Sequence, residues 1–100
     1  MYTIRESDLF KKQVQTILTE DERLNLFAFL AENPFSGDVI RNSGGFRKLR
    51  WQSGGKGKSG GSRIIYYNQL ENGLIDLVMI YEKKNLENIS GEKLAKIKGE

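Results

Sequence analysis

The chain has neither histidine nor cysteine among its 100 residues. That removes the commonest general base, the Ser–His and Cys–His nucleophile pairs, disulfides and most zinc sites. Any catalysis must therefore run on Arg, Lys, Tyr and carboxylates. The leading constellation is Lys48, Arg50 and Arg63. In the alternating run from Phe46 to Gln52, Lys48 and Arg50 share a side with Phe46, while Arg47, Leu49 and Trp51 share the other. Arg63 opens the next β-prone run. If the two runs pair, three cations converge on one sheet surface, which costs stability unless an anion visits. Phosphodiester cleavage wants such a site, because preorganised Arg and Lys stabilise the extra negative charge of its pentavalent transition state. The plainer reading is scattered surface charge paired with helix carboxylates.

A second constellation is the Gly/Lys run from Gly54 to Gly61, which carries Lys56 and Lys58. Gly57-Lys58-Ser59 looks like the end of a nucleotide-binding P-loop. That motif needs glycine five residues before Gly57, where Gln52 stands, and it must open a helix, whereas Arg63-Ile64-Ile65-Tyr66-Tyr67 is strand-like. The loop reads instead as a basic hairpin tip able to grip RNA phosphates. The third constellation is Tyr81-Glu82-Lys83-Lys84. A Tyr or Lys beside cations can have its pKa lowered toward use as a base. Tyr66, Tyr67 and Tyr81 serve equally well as core aromatics or as platforms for stacked bases.

Charge mapping joins these pieces. From Val39 to Leu70 there is no Asp or Glu, and Arg41, Arg47, Lys48, Arg50, Lys56, Lys58 and Arg63 make the segment +7. The rest of the chain is −4. Such a split within one small domain indicates a polyanion-binding face, and Arg suits bidentate phosphate contacts. The alternative is a sheet edge kept soluble by its charges. Residues 1–100 make a single domain. At 38% hydrophobic and 29% charged, the chain is too apolar for a disordered tail. It has no apolar run long enough for a membrane helix, and its start lacks the build of a signal peptide. The expected address is cytoplasmic, with no membrane association. No acidic cluster resembles a ligand set, so no metal or cofactor is expected.

The elements that must position these residues follow from periodicity. Tyr2-Thr3-Ile4 is a short first strand. Ser7 and Asp8 offer N-caps, and Leu9, Phe10, Val14, Ile17 and Leu18 recur at helical spacing. Thr19 with Glu22 is a capping box that starts a second helix. Its apolar stripe is Leu24, Phe27, Ala28 and Ala31, widened by Leu26, Phe29 and Leu30, and Asn33-Pro34 ends it. Strands follow at Val39-Ile40, Phe46–Gln52, Arg63–Asn68 and Leu74–Tyr81, the last pair joined by an Asn72-Gly73 turn. Ser90 caps a short final helix with Leu94 and Ile97. The sum is an α+β fold: two N-terminal helices packed on a twisted, antiparallel-rich sheet, with a short C-terminal helix.

The strings NPFSGDVIRNSGGFRKLRW, GKGKSGGSRIIYY and LVMIYEKKNLENIS, in that order, resemble the RelE-superfamily toxins, and within them the HigB-like branch with a Gly/Lys-rich insertion. The resemblance runs from about Phe10 to about Leu94. It implies the RelE-like α+β fold. It also implies a type II toxin: an endoribonuclease that inhibits translation by cutting messenger RNA in the ribosomal A site. The 2′-hydroxyl attacks the adjacent phosphate, leaving a cyclic phosphate and a free 5′-hydroxyl. It implies a cognate antitoxin as partner, with operator DNA reached only through that antitoxin. Lys48 and Arg50 match the family's basic pair, Arg63 its phosphate-stabilising arginine, and Lys83 the basic residue after the last strand, or Lys84 if the register shifts. Ile89 stands where a catalytic tyrosine is expected. The general base is left open among Tyr81, Lys48 and Lys83. Arg47, Lys56, Lys58 and Lys84 are the expected RNA-binding residues. The rival readings are a ParE-like DNA gyrase inhibitor and a non-catalytic RNA-binding module.

Overall fold

The computed structural model describes residues 2–52 and 61–82. Its elements are β1 (Thr3–Glu6), α1 (Asp8–Ile17), α2 (Glu20–Glu32), β2 (Asp38–Val39), β3 (Phe46–Trp51), β4 (Ser62–Gln69) and β5 (Leu74–Glu82). A short 3-10 turn at Leu70–Asn72 joins β4 to β5, closed by Gly73 at φ 70°. The left-handed conformation there is why the Asn-Gly pair ends the turn. The expected final helix at Ser90, Leu94 and Ile97 lies outside the described residues.

Helix starts are set locally. The Ser7 hydroxyl accepts from the Phe10 amide at 3.0 Å and caps α1. Thr19 and Glu22 exchange both capping-box bonds at the start of α2, at 3.1 and 2.8 Å. Each such cap contributes about 1 kcal/mol. The buried side of α2 differs from the expected stripe. Leu26, Leu30 and Ala31 are buried, while Leu24, Ala28 and Phe29 are exposed. Apolar residues surround this helix, so its own pattern selects no face. Packing against the sheet decides.

The five strands form one sheet in the order β1-β5-β4-β3-β2. β1 runs parallel to β5, and every other pair is antiparallel. The helices cover one face. Phe10, Val14 and Leu18 of the α1 segment and Leu26 and Leu30 of α2 pack on Leu49, Ile64, Tyr66, Ile75, Leu77 and Ile80. A smaller cluster, Phe46, Ile65, Met79 and Tyr81, lies on the opposite face. β5 thus buries apolar residues on both sides, which is why its sequence is nearly all apolar.

Two irregularities in β5 bear on the site. Ile65 pairs with Met79 but Tyr66 with Leu77, so Val78 is an extra residue in the ladder. This β-bulge shifts the side-chain phase by one. Before it Ile75 and Leu77 face the helices; after it Ile80 does, and Tyr81 turns away. The β1 partner also ends at Glu6, opposite Leu77. Beyond that point α1 supplies the missing bonds to β5. The Ser7 hydroxyl donates to the Val78 carbonyl at 2.7 Å, and the Ile80 amide donates to Gln13 Oε1 at 3.0 Å. Backbone groups of β5 that lack a β1 partner are thereby satisfied.

Candidate active site

β3 and β4 pair so that Arg50 lies opposite Arg63, and Lys48 opposite Ile65. On the other side of β4, Arg63 lies opposite Tyr81. Side chains in directly opposite positions stand about 5 Å apart at Cβ. Arg50, Arg63 and Tyr81 therefore make one row across three strands on the face that neither described helix covers, with Lys48 on the next row beside Ile65 and Met79. Arg50 is exposed, and Lys48 and Arg63 are half-buried. The expected convergence of Lys48, Arg50 and Arg63 is what the pairing produces. Tyr81 joins them only because of the Val78 bulge. Without that extra residue, simple alternation from Ile75 would send it to the helix side.

Tyr81 is only 5% exposed. Burial pushes its phenol above the usual value of 10, and the nearby Arg63 charge pulls in the other direction without cancelling the shift. At neutral pH the hydroxyl keeps its proton. Tyr81 is suited to donate a hydrogen bond to an anion and poorly suited to remove a proton. The sequence-based idea that neighbouring cations lower its pKa omitted desolvation, which here is the larger effect.

Arg47 is not brought to this surface. It faces the helix side with Leu49 and Trp51. There its Nη1 donates to the Gly37 carbonyl at 2.7 Å and to the Phe35 carbonyl at 3.3 Å. Its guanidinium lies 5.1 Å from the Phe35 ring centroid. Arg47 thus ties down the segment after α2 instead of extending the cationic row. The alternation along β3 carried this signal, since it already set Arg47 apart from Lys48 and Arg50. Lys56, Lys58, Lys83 and Lys84 lie outside the described residues.

The residues that sequence reasoning missed are those that fix the loop from Pro34 to Gly37. Tyr66 is fully buried, and its hydroxyl donates to the Pro34 carbonyl at 2.8 Å while accepting from the Gly37 amide at 2.9 Å. Asn68 Nδ2 donates to the same Pro34 carbonyl at 2.8 Å. A Cβ on residue 37 would stand 2.9 Å from the Tyr66 ring and hydroxyl, so only glycine permits this approach. No local sequence signal links positions 34–37 to 66 and 68, because the partners are about thirty residues apart.

Among the described residues no group of three or more acidic side chains is placed to hold a metal ion. No described helix is long and apolar enough to cross a membrane. No protein-family model matches the chain. Its structure is similar to that of the E. coli toxin RelE, solved in the free state with two arginines replaced by alanine. The TM-score is 0.65 at 16% sequence identity, covering 97% of this chain and 96% of that one. The chain therefore has a RelE-like α+β fold.

Proposed function

We propose that this chain is a RelE-type toxin, an endoribonuclease that cuts messenger RNA on the ribosome. The observation that carries the reading is the row Arg50–Arg63–Tyr81 with Lys48 beside it. Two guanidiniums, an ammonium and a protonated phenol on one surface bind a phosphodiester and stabilise the charge that builds when a 2′-hydroxyl attacks it. Arg63, at the centre of the row, is assigned to the transition-state phosphate. Arg50 and Lys48 hold the flanking phosphate oxygens, and Tyr81 donates a hydrogen bond. With Tyr81 held protonated, the general base is Lys48 or Lys83. Orientation of the message by the ribosome supplies much of the rate, which offsets a weak base. No metal or cofactor enters this chemistry. The HigB-like branch is the proposed placement, on the Gly/Lys-rich insertion. The partners are a cognate antitoxin, the ribosome and its message, operator DNA being reached only through the antitoxin. The working compartment is the cytoplasm.

Mapping of messenger 5′ ends in a purified bacterial translation reaction tests this, comparing the natural chain with Arg63→Ala. In-frame cuts that need ribosomes and disappear in a folded Arg63→Ala variant are the expected result. A folded natural chain that makes no cuts would remove the nuclease reading. The ParE-like reading then predicts inhibition of DNA gyrase supercoiling, and the RNA-binding module predicts salt-sensitive RNA binding without products. The cationic row favours the nuclease over both.

A further inference from the structure

About four residues along β4 from Arg63, at the other end of the sheet, lies a cavity of about 730 Å³. It opens where β3 begins at Phe46 and β4 runs on past it to Gln69. We propose that this cavity binds a single unstacked nucleobase bearing an exocyclic amino group, cytosine or adenine, from the strand that crosses the cationic row. The proposal rests on the nucleic-acid reading of that row and adds a specificity site to it. The walls are aromatic. Phe35 is 61% exposed, an unusual position for such a side chain, yet its loop is pinned by Tyr66, Asn68 and Arg47. The Arg47 guanidinium beside the ring extends it into a cationic platform, the kind of surface on which bases stack. Tyr67 also lines the cavity. Its ring would meet a Cβ on Gly45 at 3.1 Å, so a glycine at φ 113° keeps room beside it.

The polar lining includes the donors Arg47, Gln69 and Asn72. Asn68 turns its Nδ2 to the Pro34 carbonyl, and its Oδ1 is buried behind the cavity wall without a partner among the described residues. The exposed Glu71 adds a carboxylate at the same cavity. The accessible Glu71 carboxylate beside an aromatic platform matches the amino edge of cytosine or adenine, since a carboxylate accepts well from a base amino group. A carboxylate there also disfavours a phosphate. The strand's phosphates belong instead at the Arg63 row, about 13 Å away for four residues of strand.

The test is NMR titration of the whole chain with cytidine, adenosine and uridine, which carry no phosphate and so do not report on the cation row. Cytidine and adenosine at millimolar concentration should shift the Phe35 and Tyr67 ring signals and the Asn68 side-chain amide, with uridine weaker. Phe35→Ala, on an exposed side chain, should weaken cytidine binding about tenfold, in line with base–aromatic stacking. Glu71→Gln should reduce the preference for cytidine over uridine. The proposal is overturned if no nucleoside shifts these signals, or if Phe35→Ala leaves cytidine binding unchanged. It is equally overturned if a blocked aromatic dipeptide binds there and nucleosides do not, which would give the cavity to a protein partner. None of these outcomes depends on whether the chain cuts RNA, so loss of this site and loss of the nuclease reading are separable.

Discussion

Arg47 and Arg50 sit three residues apart on one strand, yet they serve opposite faces of the sheet. Arg47 shares its face with Leu49 and Trp51 and spends its guanidinium on two backbone carbonyls of the Phe35–Gly37 loop. Arg50 shares with Lys48 the face that neither described helix covers, and stands opposite Arg63. Residue type and local charge density are the same for both. What differs is strand parity, and parity separates a cation that ties down a loop from one that joins the Arg63 row. The same contrast holds along β4. Tyr66 is buried as an anchor on the helix side, and Arg63 lies half-buried on the other face.

The sharpest way to break this comparison is Arg63→Ala. Ribosome-dependent cleavage should fall by about 10²–10³-fold, the usual cost of removing one preorganised transition-state partner, with the thermal midpoint changed by only a few degrees. A large loss of stability instead would place Arg63 with the structural residues. The paired variants Arg47→Ala and Arg50→Ala should cross. Arg50→Ala should cut the cleavage rate about tenfold with unchanged stability. Arg47→Ala should lose about 1 kcal/mol in urea denaturation and keep its maximal cleavage rate per folded molecule, any loss falling on KM. If the two variants behave alike, parity is not what divides them.

Tyr66→Phe should cost about 1–3 kcal/mol, since the buried Gly37 amide loses its acceptor. The Pro34 carbonyl keeps Asn68 as a donor. Cleavage chemistry should persist, because the opposite face is untouched. The smallest expected effect concerns Tyr81. Its phenol is raised in the folded state, so the folded chain holds that proton more tightly than the unfolded one. The resulting stability is fully present below about pH 10 and is lost as pH rises through the folded value. Tyr81→Phe should flatten that alkaline decline in a pH series of thermal midpoints. A variant declining as steeply as the natural chain would mean that Tyr81 is not the group responsible.

Much of the local structure is legible in the chain. Ser7 and the Thr19/Glu22 box announce the two helix starts, Asn33-Pro34 ends the second, and the alternation from Phe46 to Trp51 assigns the sides of β3. These signals are short-range: a cap reads three residues ahead, and a strand alternates every two. The convergence of Lys48, Arg50 and Arg63 follows from the same alternation once β3 and β4 form a hairpin. The side of α2 that is buried was not legible, because Leu24, Leu26, Phe27, Phe29 and Leu30 surround the helix. The order of the strands was not legible either, least of all that β1 lies parallel to β5.

Two features of the site were decided by the tertiary structure alone. One is the Val78 bulge, which carries Tyr81 across to the cationic face. The other is the clamp of Tyr66, Asn68 and Arg47 on the Pro34–Gly37 segment, which holds Phe35 out at the cavity. The sequence by itself determined which of the described helices and strands form, and which cations share one side of β3. Where an extra residue enters a ladder, and which distant carbonyl a buried hydroxyl meets, depends on packing both faces of β5 and satisfying every buried backbone group at once. That condition belongs to the assembled sheet and to no segment of it.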